Sequence, residues 1–248
     1  MNASKSLRGR NLKVPILVFH KVGAIPPESQ FPRNYVRPEQ FDALLASLRD
    51  AGYESIGFDQ YVAHRRGEAT LPRKPIILTF DDGYRSNAEI AVPIMRRHGF
   101  TATIFVVPGR LGETNAWDAE ERQERLLTGA EIRALRAEGF MFGSHTMTHS
   151  RLTAVPPDRA LRELRESREA LESLLGESVR VVCYPWAQHD AGVRRMALDA
   201  GYACGVGIRR RLNRDDTDLM ALHRIPVHYL HSTRRIRWDL FRLRFRNA

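Results

Sequence analysis

Two short segments of this chain carry side chains able to hold a cation and activate water. The first, Thr79-Phe80-Asp81-Asp82-Gly83-Tyr84, sets two carboxylates side by side. Adjacent like charges are costly unless a cation or a proton compensates them. Gly83 permits the tight turn that would bring both side chains to one rim. Taken alone, Asp-Asp-Gly is an ordinary turn sequence. The second segment, Gly143-Ser144-His145-Thr146-Met147-Thr148-His149, spaces two histidines at i and i+4. They share a face if the segment turns helically, as in the histidine pairs that bind zinc. Two imidazoles and one carboxylate make a three-ligand set with an open position, which suits a catalytic metal; structural zinc is closed by four ligands.

The elements around these segments follow a repeating pattern. A helix-period stretch ends in Gly plus an aromatic residue and passes into a strand, at Gly52-Tyr53, Gly99-Phe100, Gly139-Phe140 and Gly201-Tyr202. Glycine suits the left-handed residue just past a helix. Phe41, Leu44, Leu45 and Leu48 fall at i, i+3, i+4 and i+7 after Pro38, and Thr128 with Glu131 forms a capping box. The longest helix is expected over residues 157–175, with its leucines inward and its Arg and Glu outward. Strands are expected at 16–19, 76–80, 101–107, 141–144, 179–184, 203–206 and 224–228. Runs apolar on both faces belong in a parallel sheet covered by helices. The alternation predicts the α/β class and a (β/α) barrel, irregular or incomplete, with chemistry at the C-terminal strand ends. His20, Asp81, Asp82, His145 and Trp186 all lie at such ends.

At 248 residues and 43% hydrophobic content the chain suits one globular domain. The net charge of +10 rests almost wholly on Arg, since Lys5, Lys13, Lys21 and Lys74 are the only lysines. That excess favours nucleic acid, phospholipid headgroups, or a phosphorylated or acidic glycan. Cys183 and Cys204 read as buried reduced thiols in strands. No stretch is long enough for a transmembrane span or a signal peptide. A cytoplasmic protein, peripheral at most to the inner face of the membrane, is the expectation.

Residues 13–229 resemble the polysaccharide deacetylases that share the NodB-homology domain. The matching stretches are Pro15-Ile16-Leu17-Val18-Phe19-His20, Thr79 to Gly83, Ser144 to His149, Tyr184-Pro185-Trp186 and Leu222-His223-Arg224-Ile225-Pro226-Val227. The resemblance implies a distorted, incomplete (β/α) barrel of the NodB-homology type and removal of N-acetyl groups from an amino-sugar glycan or glycolipid precursor. It implies one divalent metal ion, Zn with Ni or Co as substitutes, held by Asp82, His145 and His149. It makes Asp81 the general base and gives the backbone N–H of Trp186 to the oxyanion. Two departures stand out: Cys183 replaces an Arg that tethers the catalytic Asp in many members, and the late Leu-x-His motif is absent. In short members of this kind His20 is the candidate acid and Arg224 the residue that orients Asp81. A C–N hydrolase of small non-glycan amides and a non-catalytic glycan-binding protein are the rival readings.

Two segments remain. Residues 109–127 form a long polar loop on the active rim, with Trp117 either stacking on sugar or anchoring the loop. Residues 232–248 interleave Arg with large apolar residues after a domain expected over 13–231, which itself follows a basic segment at 1–12. This tail either lies on anionic membrane or packs on the barrel. Expected partners are an N-acetylated glycan or lipid-linked sugar and, through the tail, an anionic membrane surface. Nucleic acid is not expected, for no recognition module is present.

Overall fold

The computed structural model describes residues 12–245; the basic segment expected at 1–12 therefore lies, apart from Leu12, outside the described residues, as do 246–248. The chain opens with strands β1 (Ile16–Phe19), β2 (Lys21–Val22) and β3 (Tyr35–Val36). Next come helix α1 (Pro38–Asp50), β4 (Glu54–Ser55), α2 (Phe58–Arg65) and β5 (Pro75–Phe80). Strict alternation follows: α3 (Val92–His98), β6 (Thr103–Val106), α4 (Gly129–Ala137), β7 (Met141–Ser144), α5 (Pro157–Leu175), β8 (Val181–Cys183), α6 (Ala191–Asp199) and β9 (Cys204–Val206). Strand β10 (Ile225–Pro226) and helix α7 (Thr233–Phe245) complete it.

Every strand pairing is parallel. The main sheet runs β10-β1-β5-β6-β7-β8-β9, with β4 beside the start of β5. The ladder does not continue from β9 to β10. That seam is stitched instead by Leu222 N–H to Gly205 O, Gly207 N–H to Leu222 O and Arg209 N–H to Arg224 O. The result is the incomplete barrel expected from the strand pattern.

The period-two alternation of strand side chains separates two cores. Leu17, Phe19, Leu78, Phe80, Ile104 and Val182 face outward under the helices and join the buried faces of α1, α4 and α5. Ile16, Ile77, Phe105, Val181, Cys183 and Val206 face the barrel interior, which Phe58, Tyr61 and Val62 of α2 plug. Because Ile77, Thr79 and Asp81 alternate onto the inward face, the strand delivers its last carboxylate to the interior at the rim. The expected helix features hold. Phe41, Leu44, Leu45 and Leu48 are buried, Thr128 and Glu131 make the capping box, and Gly52, Gly99, Gly139 and Gly201 are all left-handed. Cys183 and Cys204 are free and buried.

The structure corrects the outward placement of every acidic residue on α5. Glu163 shares a stripe with Ala160, Leu164, Ser167 and Leu171 and is buried. His64 and His98 are half-buried and bonded: His98 Nε2 lies 2.9 Å from Asp42 Oδ1 and His64 Nδ1 3.1 Å from Ala69 O. Helix α7 packs on the barrel, burying Ile236 and Leu240 in the outer core, while Trp238 and Phe241 are each 56% exposed. Among the described residues no helix is long and apolar enough to cross a membrane.

Candidate metal and hydrolytic site

The rim at the ends of β5, β7 and β8 gathers the expected residues. Asp82 follows β5 in a left-handed conformation, φ 71°, and Gly83 repeats it at the same φ. A Cβ at Gly83 would come within 2.7 Å of Val106 Cγ1, so both the turn and the packing against β6 require glycine there. His145 Nε2 and His149 Nε2 each lie 3.3 Å from Asp82 Oδ1, and the three donor groups fall within 4.8 Å of one another.

This convergence is not produced by a helix. Residues 145–149 form an open bend in which Thr146 and His149 both take φ 63°. Left-handed backbone at non-glycine residues costs about 1–3 kcal/mol each and persists only where surroundings enforce it. The enforcing group is Glu163. Its carboxylate accepts from Thr148 N–H at 2.8 Å, Thr148 Oγ1 at 2.5 Å and Ser150 Oγ at 2.9 Å. Its backbone carbonyl accepts from Met147 N–H. One buried carboxylate thus shapes the histidine loop from below.

The donor chemistry fits a cation. His145 Nδ1 lies 2.8 Å from the Cys183 carbonyl, which can only accept, so Nδ1 carries the hydrogen and Nε2, which faces Asp82, is the nitrogen that would give up its proton to a cation. His149 Nδ1 is buried without a partner, and Nε2 is the nitrogen that faces Asp82 and could serve as a ligand. Two ligands at tetrahedral angles and bond lengths of about 2.1 Å are separated by about 3.4 Å, close to the 3.3 Å found here. Burial alone would raise the Asp82 pKa, but hydrogen bonds from His145 and His149 hold it well below the usual carboxylate range. A second set, Asp81 with His145 and Cys183, is also close. There Arg224 already donates to both Asp81 oxygens and to Cys183 Sγ, and its charge would repel a cation.

Arg224 is the most heavily bonded side chain of the site. It is 0% exposed, and its five N–H donors are all placed. Nη1 meets Asp81 Oδ1 at 2.6 Å and Thr79 Oγ1 at 3.1 Å; Nη2 meets Asp81 Oδ2 at 2.8 Å and Cys183 Sγ at 3.0 Å. Nε donates to Gly207 O at 3.0 Å. Burial again pushes Asp81 up, and the guanidinium overcomes it, leaving Asp81 below its ordinary pKa. The small Cys183 leaves room for this side chain to arrive from the far end of the chain. His20 reaches the same carboxylate from β1, with Nε2 3.8 Å from Asp81 Oδ2.

Trp186 sits beyond Pro185 with φ 60°, followed by Ala187 at φ 55°, and meets His149 edge-on at 5.3 Å. Trp117 lies nearly parallel to His149 at 4.5 Å, so it anchors its loop on the site. That loop is fastened further by two carboxylates: buried Glu121 accepts from Ser29 Oγ and from the N–H groups of Gln30 and Phe31, and half-buried Glu124 accepts from Lys21 Nζ and Tyr35 Oη. None of Glu163, Glu121, Glu124 or Lys21 was anticipated; Glu163 alone left a trace, through its register with the inward stripe of α5. Of the remaining histidines, His189 packs on Tyr184 and His228 on His231. Asp190 caps α6.

Comparison with known proteins agrees with this geometry. A family model described as "Polysaccharide deacetylase" matches residues 68–205, more than half of the chain. YxkH of Bacillus subtilis, named after the same family, is 25% identical over 217 residues, covering 87% of this chain and 71% of its own. The poly-beta-1,6-N-acetyl-D-glucosamine N-deacetylase of Staphylococcus aureus is 20% identical over 222 residues, covering 84% of this chain and 74% of its own. Among solved structures, the Streptococcus pyogenes deacetylase PplD in complex with acetate superposes with a TM-score of 0.82 at 24% identity, over 93% of this chain and 99% of that one. Its likeness extends to the fold. His20 and Arg224 lie outside the family-matched span, and their place rests on the geometry above. From the motifs, the barrel and the matched span together, the chain belongs to the polysaccharide deacetylase family.

Proposed function

We propose that this chain is a metal-dependent N-deacetylase acting on an acetamido sugar of a glycan or glycolipid, with residues 13–231 as its catalytic domain. The observation that carries the reading is the paired arrangement at the rim. Asp82, His145 and His149 converge as ligands, and next to them Asp81 is held by a bidentate Arg224. A divalent cation held there would supply Lewis acidity to the acetyl carbonyl and to water. Zinc suits the two imidazoles and single carboxylate; nickel and cobalt accept the same donors.

The chain's own residues divide the proton work. Asp81, ionised and oriented, takes a proton from water as that water adds to the carbonyl carbon. Its lowered pKa makes it a weak base, which would suit water that a cation held by Asp82, His145 and His149 would acidify. The backbone N–H of Trp186 donates to the oxygen that gains charge, since a fixed backbone dipole needs no reorganisation. His20 delivers a proton to the sugar nitrogen as the C–N bond breaks, leaving a free amine and acetate. Its Nε2 lies 3.8 Å from Asp81 Oδ2, so the two proton-carrying groups stand side by side at the rim.

Acetate release from N-acetylglucosamine oligomers, measured with metal content before and after chelation, tests the reading. Asp82→Asn is expected to lose metal and activity together, and Asp81→Asn to keep metal and lose turnover. Full activity in metal-stripped protein, or near-normal turnover by Asp81→Asn, would overturn it.

A further inference from the structure

One side chain at the mouth of the site has a fixed position and no polar partner. Arg151 follows His149 by two residues and is exposed. Its guanidinium carbon lies 3.9 Å from the centre of the Trp186 ring. Trp117, His149, Trp186 and Arg151 therefore form one run of ring contacts, stacked, then edge-on, then cation–π, beside the proposed metal ligands. Among the described residues the Arg151 guanidinium makes no ion pair and no hydrogen bond. Arg110, Arg162 and Arg194, by contrast, each reach a carboxylate. Asp118 on the facing loop feels Arg151 through space without pairing to it.

A guanidinium resting on an aromatic face is held by cation–π attraction, and its N–H fork stays free at the edge. That fork matches a carboxylate or a phosphate bidentately, whereas a neutral sugar hydroxyl uses little of it. Holding the arginine in place beforehand removes much of the entropy cost of recruiting a long side chain. The chain's net charge of +10 draws anionic ligands toward the protein.

We propose that Arg151 is an anion subsite of the active centre: it receives a carboxylate or phosphate substituent carried by the glycan beside the acetamide to be cleaved. The proposal rests on the deacetylase reading and narrows its substrate class to acidic N-acetylated glycans. Trp186 is then a positioning residue for Arg151 as well as a rim residue.

Two arms separate the possible anions. One uses oligosaccharides alternating N-acetylglucosamine and N-acetylmuramic acid, with the lactyl carboxylate free or converted to its amide. The other uses N-acetylglucosamine oligomers with and without a phosphodiester substituent. For the metal-loaded full chain, at least one anionic glycan is expected to show kcat/KM about tenfold above its neutral twin, chiefly through KM. Arg151→Ala is expected to abolish that preference by lowering the anionic arm alone, and Arg151→Lys to keep part of it. Salt at about 0.5 M should shrink the wild-type ratio. Equal kcat/KM for every charged and neutral pair, or a preference that survives in Arg151→Ala, overturns the subsite. If no glycan releases acetate, the deacetylase reading fails on its own. Calorimetric binding of the same pairs to wild type and Arg151→Ala then decides the subsite by the same two criteria.

Discussion

Replacing Arg224 by Met removes the charge while roughly keeping the volume, and it leaves Asp81 buried without its bidentate partner, with His20 Nε2 near it at 3.8 Å. Arg224 places its five donors on Asp81, Thr79, Cys183 and Gly207, so the loss is both electrostatic and a loss of hydrogen bonds. Removing one member of a buried ion pair costs about 3–5 kcal/mol, because the survivor stays desolvated. For a chain of this size each kcal/mol moves the melting midpoint by about 2–4 °C, so Arg224→Met should melt about 6–20 °C lower at pH 7. Adding Asp81→Asn removes the stranded charge, and the double variant should recover about 2 kcal/mol or more relative to the single one. The pH dependence carries the sign. In the wild type the Asp81 pKa is depressed, so its stabilisation is complete above the ordinary carboxylate pKa and is lost as pH falls through the folded value. In Arg224→Met the unpaired carboxyl is raised instead, so the gap from wild type should be widest at neutral pH and narrow below about pH 4. Urea denaturation followed by circular dichroism at pH 7 and pH 4 measures all three proteins. Identical stability of the single and double variants at pH 7, or a loss under about 1 kcal/mol in Arg224→Met, would refute the buried-pair account.

Glu163→Ala strips three acceptor contacts from the histidine loop and should weaken metal affinity about 10–100-fold in chelator competition, as loss of supporting partners does at other metal sites; unchanged affinity would dissociate Glu163 from loop shape. Asp118 is pushed up to about 6, by burial and then by the charge of Asp82. Its contribution to stability is therefore lost as pH rises through that value. In metal-free protein Asp118→Asn should be more stable than wild type at pH 8 by about 1 kcal/mol, discounted for its half-exposed position, and equal to it at pH 3. A lower melting midpoint for Asp118→Asn at pH 8 would contradict this. Truncation after Tyr229 uncovers the surface beneath Ile236 and Leu240, and at about 1.5–3 kcal/mol per buried aliphatic side chain it should lower stability measurably. Co-sedimentation with anionic vesicles, unchanged by that truncation, would exclude α7 as a membrane contact.

The proposed metal ligands were legible in sequence, Asp82 and His145 because they follow strands β5 and β7 and strand ends share a rim, and His149 through its spacing from His145. The means of their convergence was not. The i, i+4 spacing of His145 and His149 suggested a helical turn, yet Thr146 and His149 reach the rim through left-handed backbone. Nothing in the residue types of that loop announces such a conformation; the cause lies in Glu163, a carboxylate fourteen positions beyond His149. Arg224 was legible as a tether only through its resemblance to other chains, for its pairing spans 143 residues. Lys21 is harder still: its partners Tyr35 and Glu124 lie 14 and 103 residues away, and no local pattern marks a buried lysine. Helices and strands are written in neighbouring residues, whereas clasps between loops are written in pairs that only the closed barrel brings together.

The seam between the ends of the sheet has a kinetic meaning as well. Strand β10 pairs with β1, almost the whole chain away, and the same segment carries Arg224 to Asp81 across the interior. Closing so long a loop is slow, since its entropy is spent before the contact is rewarded. The sheet from β1 through β9 can assemble by neighbour-to-neighbour steps, but during that time Asp81 lacks the Arg224 guanidinium. The carboxylate proposed to do the chemistry is thus the group that disfavours the unfinished barrel, and arrival of the last strand relieves it. Hydrolytic competence and completion of folding would then be one event, so that a stalled or swapped intermediate is inactive by construction.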